Sequence, residues 1–131
     1  MKIALCIVIA VAAFTQECYA GYHNITATGF LECNKTPVVN ATVELREHDI
    51  LDPDDSKYST TSDITGHFNV HGDEDEMGKV EFYIRIVHTC DAKENCQRQS
   101  DYEIPNSKLD NVYEMGTLNL MVRGKDEKDL C

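Results

Sequence analysis

The stretch KVEFYIRIVHTC, residues 79–90, decides the fold class of the chain. Its apolar side chains occupy every second position from Val80 to Ile86, with charged residues between several of them. A period of two places successive side chains on opposite faces of a β-strand, whereas a helix repeats every three to four residues. The stretch therefore predicts a strand with one face against a core and with Tyr83 and Arg85 on the other face.

Similar patterns continue on both sides of this strand. No stretch keeps a helical period over three turns, and short polar segments with Asn, Asp, Pro and Gly separate the apolar ones. One such turn, Asp63-Ile64-Thr65-Gly66, predicts a hairpin between residues 58–62 and 67–71. The pattern indicates an all-β chain, arranged as a two-sheet sandwich or a barrel. The other predicted strands are 24–33, 39–45, 97–104 and 118–122.

The first twenty residues differ from the rest. Lys2 precedes an apolar run from Ile3 to Phe14, and Cys18-Tyr19-Ala20 follows a short polar stretch. This is the layout of a secretory signal peptide, and the run is shorter than the ~20 residues that a membrane-spanning helix needs. We predict cleavage after Ala20, a mature domain over residues 21–131, and secretion without a membrane anchor.

Size and charge exclude several classes of protein. With 131 residues the chain has room for one globular domain. It carries 23 acidic and 12 basic side chains, a net charge of −11, and the leader contributes one residue of each sign. Phosphate backbones and anionic membrane surfaces repel such a chain, so we expect no nucleic-acid partner.

Four cysteines remain after the leader: Cys33, Cys90, Cys96 and Cys131. An even set in an oxidising compartment predicts two disulfides. Zinc is the alternative, but the chain has no C-x-x-C pair. Three pairings are open, and we favour Cys90 with Cys96, which closes a short loop. Cys33 with Cys131 would then tie a charged tail, from about residue 123, to the domain.

Three N-glycosylation sequons follow the leader, at Asn24, Asn34 and Asn40. In a secreted chain each is an acceptor where its side chain faces water, and chance occurrence is the alternative for any one of them. The strand alternation puts Asn24 and Asn40 on solvent faces. We therefore predict a glycoprotein.

Calcium is the metal candidate to test. Acidic runs at 52–55 and 73–76 offer the oxygen ligands that this cation prefers, although neither has the EF-hand spacing and such runs are usually solvated. His67 and His71 would lie about 13 Å apart on a strand, too far to share an ion. The sequence has no recognisable ligand spacing for zinc or copper, so we predict no other cofactor. It also has no G-x-S-x-G elbow, so we predict no catalytic residues.

Four segments together resemble the nematode transthyretin-like family of secreted proteins. Each motif is short, but their order, spacing and the four cysteines make the combination specific. The segments are GFLEC at 29–33 with Pro37 and VEL at 43–45; TSDITGHF at 61–68; IRIVHTC at 84–90 with CQR at 96–98; and MGTLNL at 115–120.

The resemblance implies a transthyretin-like two-sheet β-sandwich of about seven short strands and an extracellular recognition role. Some members of the family bridge phosphatidylserine on dying cells to a phagocyte receptor. With a charge of −11, such a role here would need a local basic or calcium-filled patch. We predict a secreted binding module that contacts an extracellular protein or a cell-surface component.

Candidate contact residues are an aromatic and a cation beside a cysteine-flanked loop: Tyr83, Arg85, Asp91, Lys93 and Asn95. An ordinary solvated sheet face is the alternative for each of them. The alternative function is a carrier of a small apolar or lipid ligand, which the sequence does not identify.

A hydrolase acting on hydroxyisourate is a third function to consider. The hydrolases related to transthyretin carry a C-terminal Tyr-Arg-Gly-Ser signature. Residues 121–125, MVRGK, share only Arg123 and Gly124 with that signature. We therefore predict that the protein is not an enzyme.

Overall fold

The structure, a computed structural model, describes residues 4–8, 16–20, 22–48, 55–75 and 81–131. Side chains are described from residue 23 onward in these ranges, except at 55–57 and 74–75. Its regular elements are β1 Ala4–Val8, β2 Gln16–Ala20, β3 Tyr22–Cys33, β4 Thr36–Pro37, β5 Thr42–His48, β6 Asp55–Thr61, β7 His67–Asp75, β8 Glu81–His88, β9 Gln97–Glu103, a 3₁₀ helix Asn106–Lys108, β10 Val112–Asn119 and β11 Glu127–Leu130.

Two sheets form a sandwich. In the smaller sheet β3 lies between β10, which runs parallel to it, and β7, which runs antiparallel, while β4 pairs with the end of β3. The larger sheet has the order β11-β9-β8-β5-β6 with every pair antiparallel. The predicted all-β, two-sheet sandwich is confirmed.

The core lies where the inner faces of the two sheets meet. Phe82, Ile84 and Ile86 of β8 are buried, as the alternation predicts, and the inward phases of β3, β5 and β7 face them. Val39 is an exception, because β5 begins at Thr42 and Val39 lies exposed before it. The remaining core side chains are Ile25, Ala27, Leu31, Ala41, Val43, Leu45, Phe68, Val70, Cys90, Ile104 and Leu120.

The predicted hairpin between 58–62 and 67–71 is wrong, although its turn is present. Gly66 N donates to Asp63 O at 2.9 Å, and Asp63 Oδ1 accepts from the backbone N–H groups of Thr65 and His67. The turn, however, carries the chain from one sheet to the other, since β6 pairs with β5 and β7 pairs with β3. Alternation identifies strands but not their partners.

Strand β11 lies within the segment predicted as a charged tail. Its residues, EKDL, have no apolar alternation, so the pattern gave no signal for it. The strand pairs with β9 at the edge of the larger sheet, in a register that sets Leu130 opposite Gln97. The C-terminus is therefore part of the sandwich.

The favoured cysteine pairing is wrong, although all four cysteines form disulfides as predicted. Cys33 bonds to Cys90 with Cα atoms 5.7 Å apart, which joins the end of β3 in one sheet to the residues after β8 in the other. Cys96 bonds to Cys131, because the register of β11 on β9 brings the C-terminal residue beside Cys96. The disulfides fit an oxidising compartment and leave no thiolate of these four for zinc.

Within residues 1–20, β1 and β2 pair with each other as a two-stranded antiparallel sheet. The signal peptide over residues 1–20 stays a prediction. No helix in the described ranges is both long enough and apolar enough to cross a membrane.

Candidate functional site

Residues 91–95 form a loop that is held at both ends by disulfides to different segments. Cys90, before the loop, is bonded to β3, and Cys96, after it, is bonded to the residue that follows β11. Inside the loop Cys96 N donates to Lys93 O at 3.0 Å. Asp91 and Asn95 have positive φ angles of 51° and 63°, which Asp and Asn tolerate better than most residues. We call this segment the 91–95 loop.

Charged contacts add to the covalent ones. Arg123, in the connection between β10 and β11, donates from Nη2 to Asp91 O at 2.7 Å and lies 3.7 Å from Asp129 Oδ1. Lys93 Nζ lies 3.4 Å from Asp129 Oδ2, with 74% of the lysine side chain exposed. The 91–95 loop, the β10–β11 connection and β11 thus meet at one end of the sandwich, which we call the disulfide end.

The structure brings together three of the five predicted contact residues. Asp91, Lys93 and Asn95 are all exposed on the 91–95 loop. Tyr83 and Arg85 lie elsewhere, on the outer face of β8. The predicted contact surface is therefore divided between two places in the molecule.

The expectation that Tyr83 is exposed is wrong. Its exposed fraction is 0%, because side chains of β5 cover the outer face of β8. Arg46 Nε donates to Tyr83 Oη at 3.0 Å, and the ring of His48 stacks on that of Tyr83 at 4.2 Å. Tyr83 is therefore part of a packed layer rather than an accessible aromatic.

Arg85 is engaged within the same sheet. Its Nε and Nη2 atoms donate to the two carboxylate oxygens of Asp101 at 2.9 and 3.0 Å. The carboxylate raises the pKa of the Arg85 guanidinium. This bidentate pair fixes the side chain across β8 and β9.

Two of the three sequons lie in exposed turns. Asn34 and Asn40 are exposed and have φ angles of 49° and 60°. Asn24 is half-buried within β3, and its backbone N–H donates to Asp110 Oδ1 at 3.0 Å. Asn34 and Asn40 therefore have the geometry of accessible acceptors, while glycosylation itself stays a prediction.

A buried polar cluster on the inner side of β9 was not predicted. Arg98 has an exposed fraction of 0%; its Nη1 donates to Cys90 O at 2.7 Å and to Leu120 O at 2.5 Å. Its Nη2 lies 3.1 Å from Glu127 Oε1. Ser100 Oγ donates to the same Glu127 oxygen at 2.6 Å. The sequence contains one indication of this cluster. In the predicted strand 97–104, which has few apolar residues, Arg98 lies on the same face as Ser100 and Tyr102.

The cluster contains a serine, a histidine and a carboxylate, but not in the order of a catalytic triad. Cys90 N donates to His88 Nδ1 at 3.1 Å, so the proton of the neutral ring is on Nε2. His88 Nε2 lies 2.9 Å from Ser100 Oγ, whose own hydrogen goes to Glu127. His88 therefore donates to Ser100, whereas a general base would accept from it.

Burial and the nearby Arg98 charge keep His88 neutral. Together they lower the pKa of the His88 imidazole to about 4, with burial the larger cause. The arrangement is suited to joining β8, β9 and β11, and it does not activate Ser100 as a nucleophile.

The calcium candidates are only partly visible. Run 52–55 and most of run 73–76 lie outside the described side chains. In the described part of the chain no group of three or more His, Cys, Asp and Glu side chains is placed to hold a metal ion.

Comparison with known proteins places the chain in a family. The model of the TTR-52, transthyretin-like family matches residues 28–105. The chain belongs to the transthyretin-like family. Transthyretin-like protein 16 of Caenorhabditis elegans is 36% identical over 129 residues, 98% of each chain. Transthyretin-like protein 1 of the same organism is 32% identical over 138 residues, 94% of this chain and 88% of the relative.

A likeness among solved structures is weaker. A 9R-lipoxygenase from Cyanothece PCC8801 aligns with 76% of this chain at 18% identity and a TM-score of 0.48, and the chain spans 16% of that protein. It carries no argument about this transthyretin-like protein.

Proposed function

We propose that this transthyretin-like protein is a secreted recognition module that contacts an extracellular protein or a cell-surface component through its disulfide end. The 91–95 loop is the centre of the proposed contact surface. Tyr83 and Arg85 are left out of it, because their side chains are engaged within the larger sheet.

One observation carries this proposal: the 91–95 loop is exposed, yet both of its flanking cysteines are bonded to other strands. A loop that is ordered before binding loses less conformational entropy when a partner binds. Loops on a rigid scaffold are also the usual place of recognition. Charged side chains of both signs, at Asp91, Lys93 and Arg123, give the surface a pattern that a partner can complement.

Carriage of an apolar ligand between the sheets has less support. The described inner faces are packed together, with large side chains such as Phe68, Phe82 and Ile84 filling the space. The net charge of −11 opposes bridging to phosphatidylserine, because an anionic membrane surface repels an anionic protein. A protein partner is therefore the form of the proposal that we favour.

Site-specific photo-crosslinking on intact cells tests the proposal. A photoreactive amino acid replaces Asn95 in the 91–95 loop, and in the control it replaces Asn69, which is exposed on β7 in the smaller sheet. We expect the Asn95 variant to give discrete crosslinked bands with surface proteins of nematode cells, and the Asn69 variant to give none. Equal yields from both positions, or bands from Asn69 alone, would contradict the proposal.

A vesicle assay separates protein from lipid recognition. The protein is sedimented with phosphatidylcholine vesicles and with vesicles containing phosphatidylserine, with and without millimolar calcium. We expect no binding to either lipid. Binding to phosphatidylserine that persists when Asp91 and Lys93 are both replaced by Ala would show that the surface recognised is a membrane and that the disulfide end is not involved.

A further inference from the structure

The two disulfides differ in how accessible they are to solvent. Cys90 has an exposed fraction of 6% and belongs to the core, and its partner Cys33 is half-buried. Cys131 is exposed, and its partner Cys96 is half-buried. In thiol–disulfide exchange an attacking thiolate must reach one sulfur of the bond. The Cys96–Cys131 disulfide is therefore the one that a thiol in solution reaches more easily.

Few contacts besides this disulfide hold β11 in place. The strand has four residues at the edge of the larger sheet, and none of its side chains is fully buried. Its inward contact is Glu127, which lies 3.1 Å from Arg98 Nη2. Asp129 forms a surface ion pair with Lys93, and such pairs contribute little to stability. Segments with few buried contacts are the ones that open locally, so β11 should leave β9 when the disulfide opens.

The rest of the sandwich has connections that do not depend on β11. The Cys33–Cys90 disulfide joins the two sheets directly. Arg98 Nη1 still donates to the carbonyls of Cys90 and Leu120 when Glu127 moves away. Among the described core side chains none belongs to β11. Opening the Cys96–Cys131 disulfide should therefore change the disulfide end and leave the core intact.

We propose that the Cys96–Cys131 disulfide is a thiol-sensitive clip, opened by a dithiol reductant, that controls the order of the 91–95 loop. The 91–95 loop loses its covalent hold at Cys96 when the clip opens and keeps the one at Cys90. This inference rests on the proposed recognition role of the loop. A loop with more freedom loses more conformational entropy when a partner binds, so the open form binds the partner more weakly.

The exchange takes place in two balanced steps. A thiolate of the dithiol attacks the Sγ atom of the exposed Cys131, the S–S bond breaks, and Cys96 leaves as a thiolate that takes up a proton. The second thiol of the reductant then attacks the mixed disulfide and releases the thiol of Cys131. The protein gains two thiols, and the dithiol is oxidised to a disulfide.

Graded reduction of the folded protein tests which disulfide opens. The protein is incubated with dithiothreitol for increasing times, the freed thiols are alkylated, and mass spectrometry measures the labelling of each cysteine. We expect Cys96 and Cys131 to be labelled at least about tenfold faster than Cys33 and Cys90. The same experiment in concentrated urea is the control, and there the two rates should become similar. Equal rates in the folded protein, or faster labelling of Cys33 and Cys90, would overturn the proposal.

Amide hydrogen exchange of the opened form tests the effect on the loop. Protein that is alkylated only at Cys96 and Cys131 is compared with the oxidised protein. We expect exchange to become at least about tenfold faster in residues 92–97 and in β11, and to stay unchanged in β3 and β5. Unchanged exchange in residues 92–97 would overturn the proposal, because the disulfide would then not control the order of the loop.

Photo-crosslinking from position 95 separates this inference from the proposed function. Replacing both Cys96 and Cys131 by Ser reproduces the open form without an alkyl group. We expect this variant to give a crosslinking yield at least about fivefold lower than that of the oxidised protein. An equal yield would overturn the clip and leave the recognition role standing. No crosslinks from the oxidised protein would overturn the recognition role, and the control of recognition by the clip would fail with it.

Discussion

The two faces of β9 hold an arginine–carboxylate pair each, and the pairs differ in what they do. On the inner side Arg98 and Glu127 have exposed side-chain fractions of 0% and 13%, and Arg98 also binds two carbonyls from separate segments. On the outer side Arg85 and Asp101 join only β8 and β9. The inner pair therefore connects β9 to Cys90, to Leu120 and to β11, while the outer pair supports one strand pairing.

Replacing a charged residue costs more stability where the residue is fully buried than where it is partly exposed. A buried charge that loses its partner keeps its desolvation cost, whereas a partly solvated one is taken over by water. The inner pair should therefore affect global stability and the disulfide end, and the outer pair should affect neither strongly. The predictions below test this contrast.

The largest effect is expected for Arg98→Met. The change leaves Glu127 without its cation and leaves the carbonyls of Cys90 and Leu120 without a donor. We expect the free energy of unfolding to fall by about 3 to 5 kcal/mol. Urea denaturation followed by circular dichroism measures it.

Arg85→Met is the matched control for this prediction. The same substitution on the outer face should cost less, about 1 to 2 kcal/mol, because Arg85 and Asp101 keep 21% and 16% of their side chains exposed and no buried carbonyl loses a donor. If the two variants lost similar stability, the contrast between the two faces of β9 would be lost.

The next largest effect is expected when Cys96 and Cys131 are both replaced by Ser. This disulfide closes a segment with a sequence separation of 35 and holds β11, which carries Glu127, on β9. We expect a loss of about 3 kcal/mol. Amide hydrogen exchange should also become faster in β11 and at Arg98, while the exchange of β5 stays slow. Unchanged protection of β11 would show that the disulfide is not needed to hold the strand.

A smaller effect is expected from pH. The pKa of His88 is about 4 in the folded protein and 6.5 ordinarily, so only the unfolded chain takes up this proton as the pH falls below 6.5. His88 should therefore cost the protein roughly 3 kcal/mol of stability between pH 6.5 and about 4, with no contribution above that range.

The His88→Gln variant isolates this contribution. Glutamine can donate to Ser100 but does not titrate, so the stability difference between the two proteins should change with pH only below about 6.5. A constant difference between the chain and His88→Gln over this range would mean that His88 is not held neutral.

Most of the longer strands could be predicted from the sequence, but β10 begins at Val112 rather than near Leu118, β11 gave no signal, and the strand partners could not be predicted. Alternation in 79–90 identified β8 and its core face, and Asp63 with Gly66 identified the turn before β7. The same pattern said nothing about pairing, so β6 and β7 were joined in one hairpin instead of in two sheets. Pairing depends on contacts between residues far apart in sequence, which a local pattern does not contain.

The candidate sites were harder to predict, for a related reason. Tyr83 was correctly assigned to the outer face, yet it is buried there, because coverage by Arg46 and His48 depends on a neighbouring strand. Arg98 is the opposite case, because it is charged and yet buried. Glu127 forms an ion pair with it, and Glu127 lies in a strand whose sequence has no apolar alternation. The four cysteines predicted two disulfides. Their pairing depends on the position of β11, a strand that the sequence pattern did not reveal.

The central structural claim is the disulfide pattern: Cys96–Cys131 links the end of β11 to the start of β9, and Cys33–Cys90 links the other side of the 91–95 loop to β3. Trypsin can test this directly, because cleavage after Lys35, Arg85, Lys93, Arg98 and Lys128 puts each of the four cysteines in a separate peptide.

Mass spectrometry of the non-reduced digest, after removal of any N-glycans, then identifies which cysteines are bonded to each other. The structure predicts one linked species joining IVHTCDAK to the peptide that contains Cys33, and a second joining ENCQR to DLC. A species that joins IVHTCDAK to ENCQR would contradict it, since the loop would then close on itself and β11 would have no covalent hold on β9.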